Sequence, residues 1–202
     1  MARVKLTKTE LKAQTDALKR FQRFLPMLQL KKQQLQGEIA GIVAKVEEVT
    51  RQEEAIRQNL DSWVGLFATD ESLTKDLVQV KEVRTSEANI AGVTIPVFES
   101  IDVKVRDYDL WESPAWIDEA VETATQVLSL QSERAVFEEQ RRLIAEELQQ
   151  TSQRVNLFEK VKIPECRETI RVIKIAIGDE QAAAVTRGKI AKARVPESEA
   201  QV

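Results

Sequence analysis

Apolar side chains recur along the first third of the chain at alternating steps of three and four residues. The steps land on Leu11, Gln14, Leu18, Phe21, Leu25, Leu28, Lys32, Leu35, Ile39, Ile42, Val46, Val49, Glu53, Ile56, Leu60 and Trp63, and thirteen of these sixteen are apolar. A 3.5-residue period held over this length predicts one long helix with a coiled-coil seam. A helix of ~60 residues would be ~90 Å long, which suits a shaft better than a compact domain. Pro26 interrupts the run. It removes one backbone donor and crowds the preceding turn, so a kink is expected near residues 22–26.

The pattern changes after residue 65. Leu77 to Val83 alternates over part of its length, and Ile101 to Arg106 alternates cleanly. Between them lie Asn89-Ile90-Ala91-Gly92-Val93 and Val93-Thr94-Ile95-Pro96-Val97-Phe98. Val- and Ile-rich runs of period two around a Gly-bearing turn predict a β-hairpin. Pro96 places its strand at an edge or at a bulge. A lone hairpin is marginal in water, so this one must pack on the helices or on a partner.

Helical periodicity returns after Ser113-Pro114, a cap followed by a first-turn proline. It runs through Trp116, Ile117, Ala120, Ala124, Val127 and Leu128, then Phe137, Ile144, Leu148, Val155 and Phe158. Beyond Pro164 it re-phases onto Ile163, Cys166, Ile170, Ile173 and Ile177. The expected fold is mainly α, with two long helices in an antiparallel coiled coil joined by a small middle region that contains a β-hairpin. The expected segments are 1–64 and 114–195 for the helices, 65–113 for the middle region and 196–202 for a flexible tail.

Composition narrows the chemistry. Charged residues make up 31% of the 202, there is no His, and Cys166 stands alone. The commonest general base and metal ligand is therefore missing, and no internal disulfide can form. No phosphate loop, dinucleotide fingerprint or zinc-protease motif occurs, so no catalytic, cofactor-binding or metal site is expected. Cys166 reads as a small seam residue. Trp63, Trp111 and Trp116 read as a packing plug where the helices meet the middle region. The pairs Glu47-Glu48, Glu53-Glu54, Glu138-Glu139 and Glu146-Glu147 read as solvated helix faces. No secretory signal or stretch long enough to span a bilayer is present, so a soluble cytoplasmic chain is expected, reaching a membrane only through partners.

Charge is unevenly spread. The net charge is +7 over residues 1–35, −11 over 61–150 and +5 over 160–195. If the helices pair antiparallel, Arg3, Lys5, Lys8 and Lys12 meet Arg187, Lys189, Lys192 and Arg194 at one basic tip. Such blocks concern partners more than fold. A nucleic-acid partner is not expected, because Phe21 and Phe24 serve the seam. A second feature is the stripe Gly37, Ala40, Gly41 and Ala44, on the face away from Leu35, Ile39 and Ile42. Two glycines inside a helix cost ~1 kcal/mol each relative to Ala, and smallness there would let a partner backbone approach.

Several segments resemble the D subunits of the V-type (A/V-type) ATP synthases. They are Leu6-Thr7-Lys8, Leu28 to Lys32, Ile90 to Phe98 and, above all, Arg154-Val155-Asn156-Leu157-Phe158-Glu159-Lys160 with Ile163-Pro164 and Glu168-Thr169-Ile170-Arg171. The resemblance covers nearly the whole chain. It implies a non-catalytic central axle, whose terminal helices form a left-handed antiparallel coil inside the hexamer of catalytic A and B subunits. The F subunit would pack on the side of the coil, with the small-residue stripe as part of its groove and Glu38 and Lys45 setting its orientation. A socket subunit on the membrane rotor ring would hold the lower end, and rotation would couple ATP turnover to proton or sodium flow. The rival is a prefoldin-like chaperone or adaptor, which also joins two coiled-coil helices through hairpins.

Overall fold

The computed structural model describes residues 5–61, 77–109, 113–114 and 116–194. Trp63, Trp111, Arg3 and the tail 196–202 lie outside the described residues. Helix α1 spans Lys8–Asp61, strands β1 and β2 span Val78–Ile90 and Val93–Val105, and helix α2 spans Ile117–Leu157. One π-helical turn, Phe158–Lys162, leads directly into helix α3, Ile163–Arg194. Among the described residues no helix is long and apolar enough to cross a membrane. The chain divides into two compact units, 31–150 and 1–30 with 151–202.

The stepped pattern predicts burial along α1 position by position. All fifteen described positions from Leu11 to Leu60 are buried or half-buried, including Gln14, Lys32 and Glu53. The helix is continuous through Pro26, whose ring lies at an exposed surface. Helix α2 begins three residues later than Pro114 suggests. The Ile117 N–H donates to the Pro114 carbonyl, and the first full helical bond runs from Ala120 to Trp116.

In the unit formed by residues 31–150, α1 and α2 run antiparallel. Lys31 pairs with Glu147 at 2.6 Å, while Glu53, further along α1, bonds to Arg134 and Gln131, further back on α2. The core holds Leu35, Ile42, Ile95 and Ile144, with Ile39, Val46, Phe137, Leu143 and Leu148 packed around it. Each such aliphatic is worth ~1.5–3 kcal/mol when fully buried. The hairpin joins this core through Ala88, Ile90, Ala91, Val93 and Ile95. The Gln140 side-chain amide also donates to the Pro96 carbonyl.

The hairpin turn is two residues long, Ala91-Gly92, with φ of 51° and 84°. Positive φ at both positions matches the twist of the strands. Gly92 accepts this freely, and its N–H donates to Asn89 Oδ1 at 3.0 Å. Ala91 bears a left-handed cost of ~1–2 kcal/mol, offset by its packing on the core. Pro96 pairs with Glu87, and the register shifts fall elsewhere, at Lys81 and Glu99. Pro96 is therefore on an edge, as every residue of a two-stranded ribbon is, and not in a bulge.

The unit formed by residues 1–30 and 151–202 has its own stretch of seam. Phe21 packs on Phe158 with ring centroids 5.0 Å apart. Thr151, Val155, Ile163, Cys166 and Ile173 are buried. Their spacing explains the π turn. Heptad steps of seven connect Leu148 to Val155 and Cys166 to Ile173, but Val155 to Ile163 is eight. One surplus residue would rotate everything beyond it by ~100°. The wide turn absorbs it, with the Ile163 N–H reaching back five residues to the Phe158 carbonyl. Pro164, next in line, offers no N–H, so this is where the regular ladder is interrupted at least cost.

Deleting Lys160 should restore the seven-residue step, convert the π turn to α-helix and leave the melting temperature equal or higher. Deleting exposed Arg23 from α1, which has no such turn, should displace its seam and cost on the order of 3 kcal/mol or more. Urea titration of both variants with far-ultraviolet circular dichroism measures the difference.

Candidate functional site

The candidate surfaces lie on the outer faces of helices whose inner faces make the seam. Gly37, Ala40, Gly41 and Ala44 are all exposed, on the side away from buried Leu35 and Ile42. A Cβ built at Gly37 or Gly41 would meet nothing within 4 Å. Coil packing therefore does not require glycine at either position. Glu38 is exposed beside the stripe. Lys45 is engaged elsewhere, with its ammonium 5.7 Å from the centre of the Phe137 ring.

The basic residues are not brought together as expected. Lys5, Lys8 and Lys12 are exposed at the start of α1, and Arg187, Lys189 and Lys192 are exposed near the end of α3. Of Arg194 only the backbone is described. Counting outward from the Phe21–Phe158 contact, with one residue added for the π turn, Lys8 comes level with about residue 172, and Arg187 lies ~22 Å further on. Burial agrees with this count: every residue from Gly178 to Ala193 is exposed. By this count α3 extends past the start of α1, and among the described residues nothing covers its cations Arg187, Lys189 and Lys192.

The motif residues divide between seam and surface. Val155 and Ile163 are buried, and Thr169 and Ile170 are half-buried. Arg154, Asn156, Glu159 and Pro164 are exposed. Leu157, just before the π turn, and Val161, within it, are exposed although apolar. Glu168 and Arg171 form a surface ion pair at 2.6 Å. Cys166 is buried in the seam, where burial first and the nearby Glu165 charge second push its thiol pKa up. That keeps it a protonated core residue. Trp116, of the expected tryptophan plug, is half-buried.

Two acidic positions depart from the solvated-face expectation: Glu147 is half-buried and paired with Lys31, and Glu53 is buried more deeply. Glu53 is 3% exposed. Its carboxylate accepts from Gln131 Nε2 at 2.9 Å, Arg134 at 2.9 Å and Arg57 at 2.7 Å. The Gln131 hydrogen bond, then the Arg134 and Arg57 charges, hold its pKa below the usual carboxylate range against the opposing effect of burial. The sequence carries the signal for this, because Glu53 is a stepped seam position. A charge there demands partners from the facing helix, and it fixes which residues of α2 lie opposite.

Glu53 has a lower pKa folded than unfolded, so its contribution is complete above the unfolded value of about 4.5. It is lost as pH falls through the folded value. Glu53→Gln should cost ~1–3 kcal/mol at pH 7, since Arg134 and Arg57 keep access to water. The variant should also lose less stability than the parent as pH falls below about 4.5. Urea unfolding at pH 7 and at successively lower pH reads both effects.

Relatives share the chain along nearly its whole length. The family model of the ATP synthase D subunits matches residues 10–193. The V-type ATP synthase D subunit from Borreliella burgdorferi is 43% identical over 192 residues, covering 95% of each chain. Its counterpart from Chlamydia muridarum is 33% identical over 201 residues, covering 96% of this chain and 97% of its own. A third, from Chlamydia caviae, is 30% identical over 198 residues, covering 96% and 94%.

Proposed function

The chain belongs to the family of ATP synthase D subunits, and from that premise we propose that it is the central shaft of a rotary V-type ATPase. It carries torque between the catalytic A/B hexamer and the membrane ion-translocating ring, without catalysing ATP turnover itself. The observation that carries this reading is the end of α3. Residues 178–193 are helical and exposed on every side, with Val185 60% and Ile190 47% exposed. An isolated helix of this length is marginal in water. Enclosure by other subunits gives it cover, and the cations Arg187, Lys189 and Lys192 give broad electrostatic contact that permits turning. The family membership sets the chaperone rival aside.

In this reading the basic end, Lys5, Lys8 and Lys12 included, lies in the catalytic ring. The stripe Gly37, Ala40, Gly41 and Ala44 receives a helix of the F subunit, and the opposite end meets a socket subunit on the rotor ring. The chain works on the cytoplasmic side of the membrane, peripheral to it and attached through the complex.

Replacing Lys5, Lys8, Lys12, Arg187, Lys189 and Lys192 by Gln should leave the melting of the free chain nearly unchanged. It should lower retention by an A/B hexamer most strongly at low salt, because exposed charges are screened within ~8–10 Å at physiological ionic strength. Retention unaffected at every salt concentration would remove the basic end from the ring. Gly41→Leu should be neutral or slightly stabilising in the free chain, given the open space at its Cβ. It should weaken binding of the F subunit by roughly ten- to a hundredfold, the usual effect of overpacking. A melting curve beside a titration with the F subunit tests the stripe.

A further inference from the structure

Three interruptions of the coil fall close together in the unit formed by residues 1–30 and 151–202. On α1, Pro26 has no N–H, so the Gln22 carbonyl lacks its partner in the helix. On the C-terminal run the ladder is widened from Phe158 to Lys162, and Pro164 again supplies no donor. In the seam itself, the Thr151 hydroxyl is fully buried and finds no hydrogen-bond partner among the described residues. An unpaired buried hydroxyl subtracts from the packing around it.

The contact of Phe21 with Phe158 sets their relative heights. In an antiparallel pair, seven residues onward along α1 and seven back along α2 bring Leu28 level with Thr151. Pro26 then comes level with about residue 153, which is ~7.5 Å along the axis from the start of the π turn. A gap in one helix of a coil is braced by an unbroken ladder in the other. Here both ladders are interrupted within about two turns. Packing adds little support: Leu18, Phe21, Leu25 and Leu28 are all half-buried, whereas Leu35, Ile42 and Val49 in the other unit are buried. Prolines and π turns are where helices bend, and sparse burial marks the segments that open first.

We propose that the coil between Phe21–Leu28 on α1 and Thr151–Pro164 on the C-terminal run is a flexure. It is the level at which this unit bends, and its backbone hydrogen bonds open ahead of those in the helices of residues 31–150. The flexure is a property of the chain itself. Its use in rotation rests on the shaft reading: one soft level takes up misalignment between partners held along the shaft, while the register set at Glu53 is kept.

Hydrogen exchange of the full-length free chain, read by mass spectrometry and corrected for intrinsic rates, tests this. Amides of residues 22–30 and 158–166 should exchange at least about tenfold faster than those of 35–49 and 137–148. Pro26→Ala restores the missing donor at an exposed position where Ala is the better helix former, so the variant folds. It should slow exchange at least about threefold both around itself and across the seam at 158–166. Deletion of Lys160, which removes the π turn, should in turn slow residues 22–30. Protection that crosses the coil in both directions marks shared bending, because a proline or π turn acting on its own helix alone would not produce it. Exchange at 22–30 and 158–166 as slow as in the other unit overturns the proposal, as does protection confined to the altered helix. Failure of the parent chain to enter a V-type ATPase complex, read in a separate pull-down, would overturn the shaft reading and not the flexure.

Discussion

Everything described depends on one apolar seam that repeats every 3.5 residues between antiparallel helices. Its positions on α1 are buried or half-buried from Leu11 to Leu60 without exception. A uniform seam of Leu, Ile and Val would allow the helices to slide by whole heptads. The polar interruptions oppose that. Glu53 is buried among Gln131, Arg134 and Arg57, and sliding would leave its carboxylate unpaired at low dielectric. Lys31 with Glu147 sets the same alignment at the other end of that unit.

Two departures from ideal periodicity each involve single residues, and each is resolved locally. In the C-terminal helical run the surplus residue between Val155 and Ile163 is taken up by the π turn, so Ile163, Cys166 and Ile173 return to the seam. In the hairpin the surplus residues Lys81 and Glu99 are taken up by bulges, one on each strand. The helix restores its apolar face after the insertion, because the facing helix requires it. In the ribbon each bulge reverses the alternation of its own strand.

Within the described residues, the chain packs its own core, while residues 178–193 of α3 and the small residues Gly37, Ala40, Gly41 and Ala44 of α1 stay exposed. The exposed cations Arg187, Lys189 and Lys192 on that stretch of α3 act over several ångströms.

The sequence alone placed the long helices and the identity of the seam, because helical burial follows period: the residues stepped by three and four along α1 are buried or half-buried. It also determined the hairpin, whose Ala91-Gly92 turn lies between two alternating runs. It marked Gly37 to Ala44 as outward-facing, since they fall off the seam. What it left open are matters of a single residue's rotation or of length. Alternation read along β2 places Val93 to Val105 on one face, and only the pairing with β1 reveals the bulge that divides them. Antiparallel pairing suggested that the two sets of cations meet, yet where each helix stops being covered depends on the register set by Phe21 against Phe158. Glu53 could be placed on the seam by counting, but its partners belong to a helix some eighty residues away, and only tertiary packing brings Gln131 and Arg134 to it.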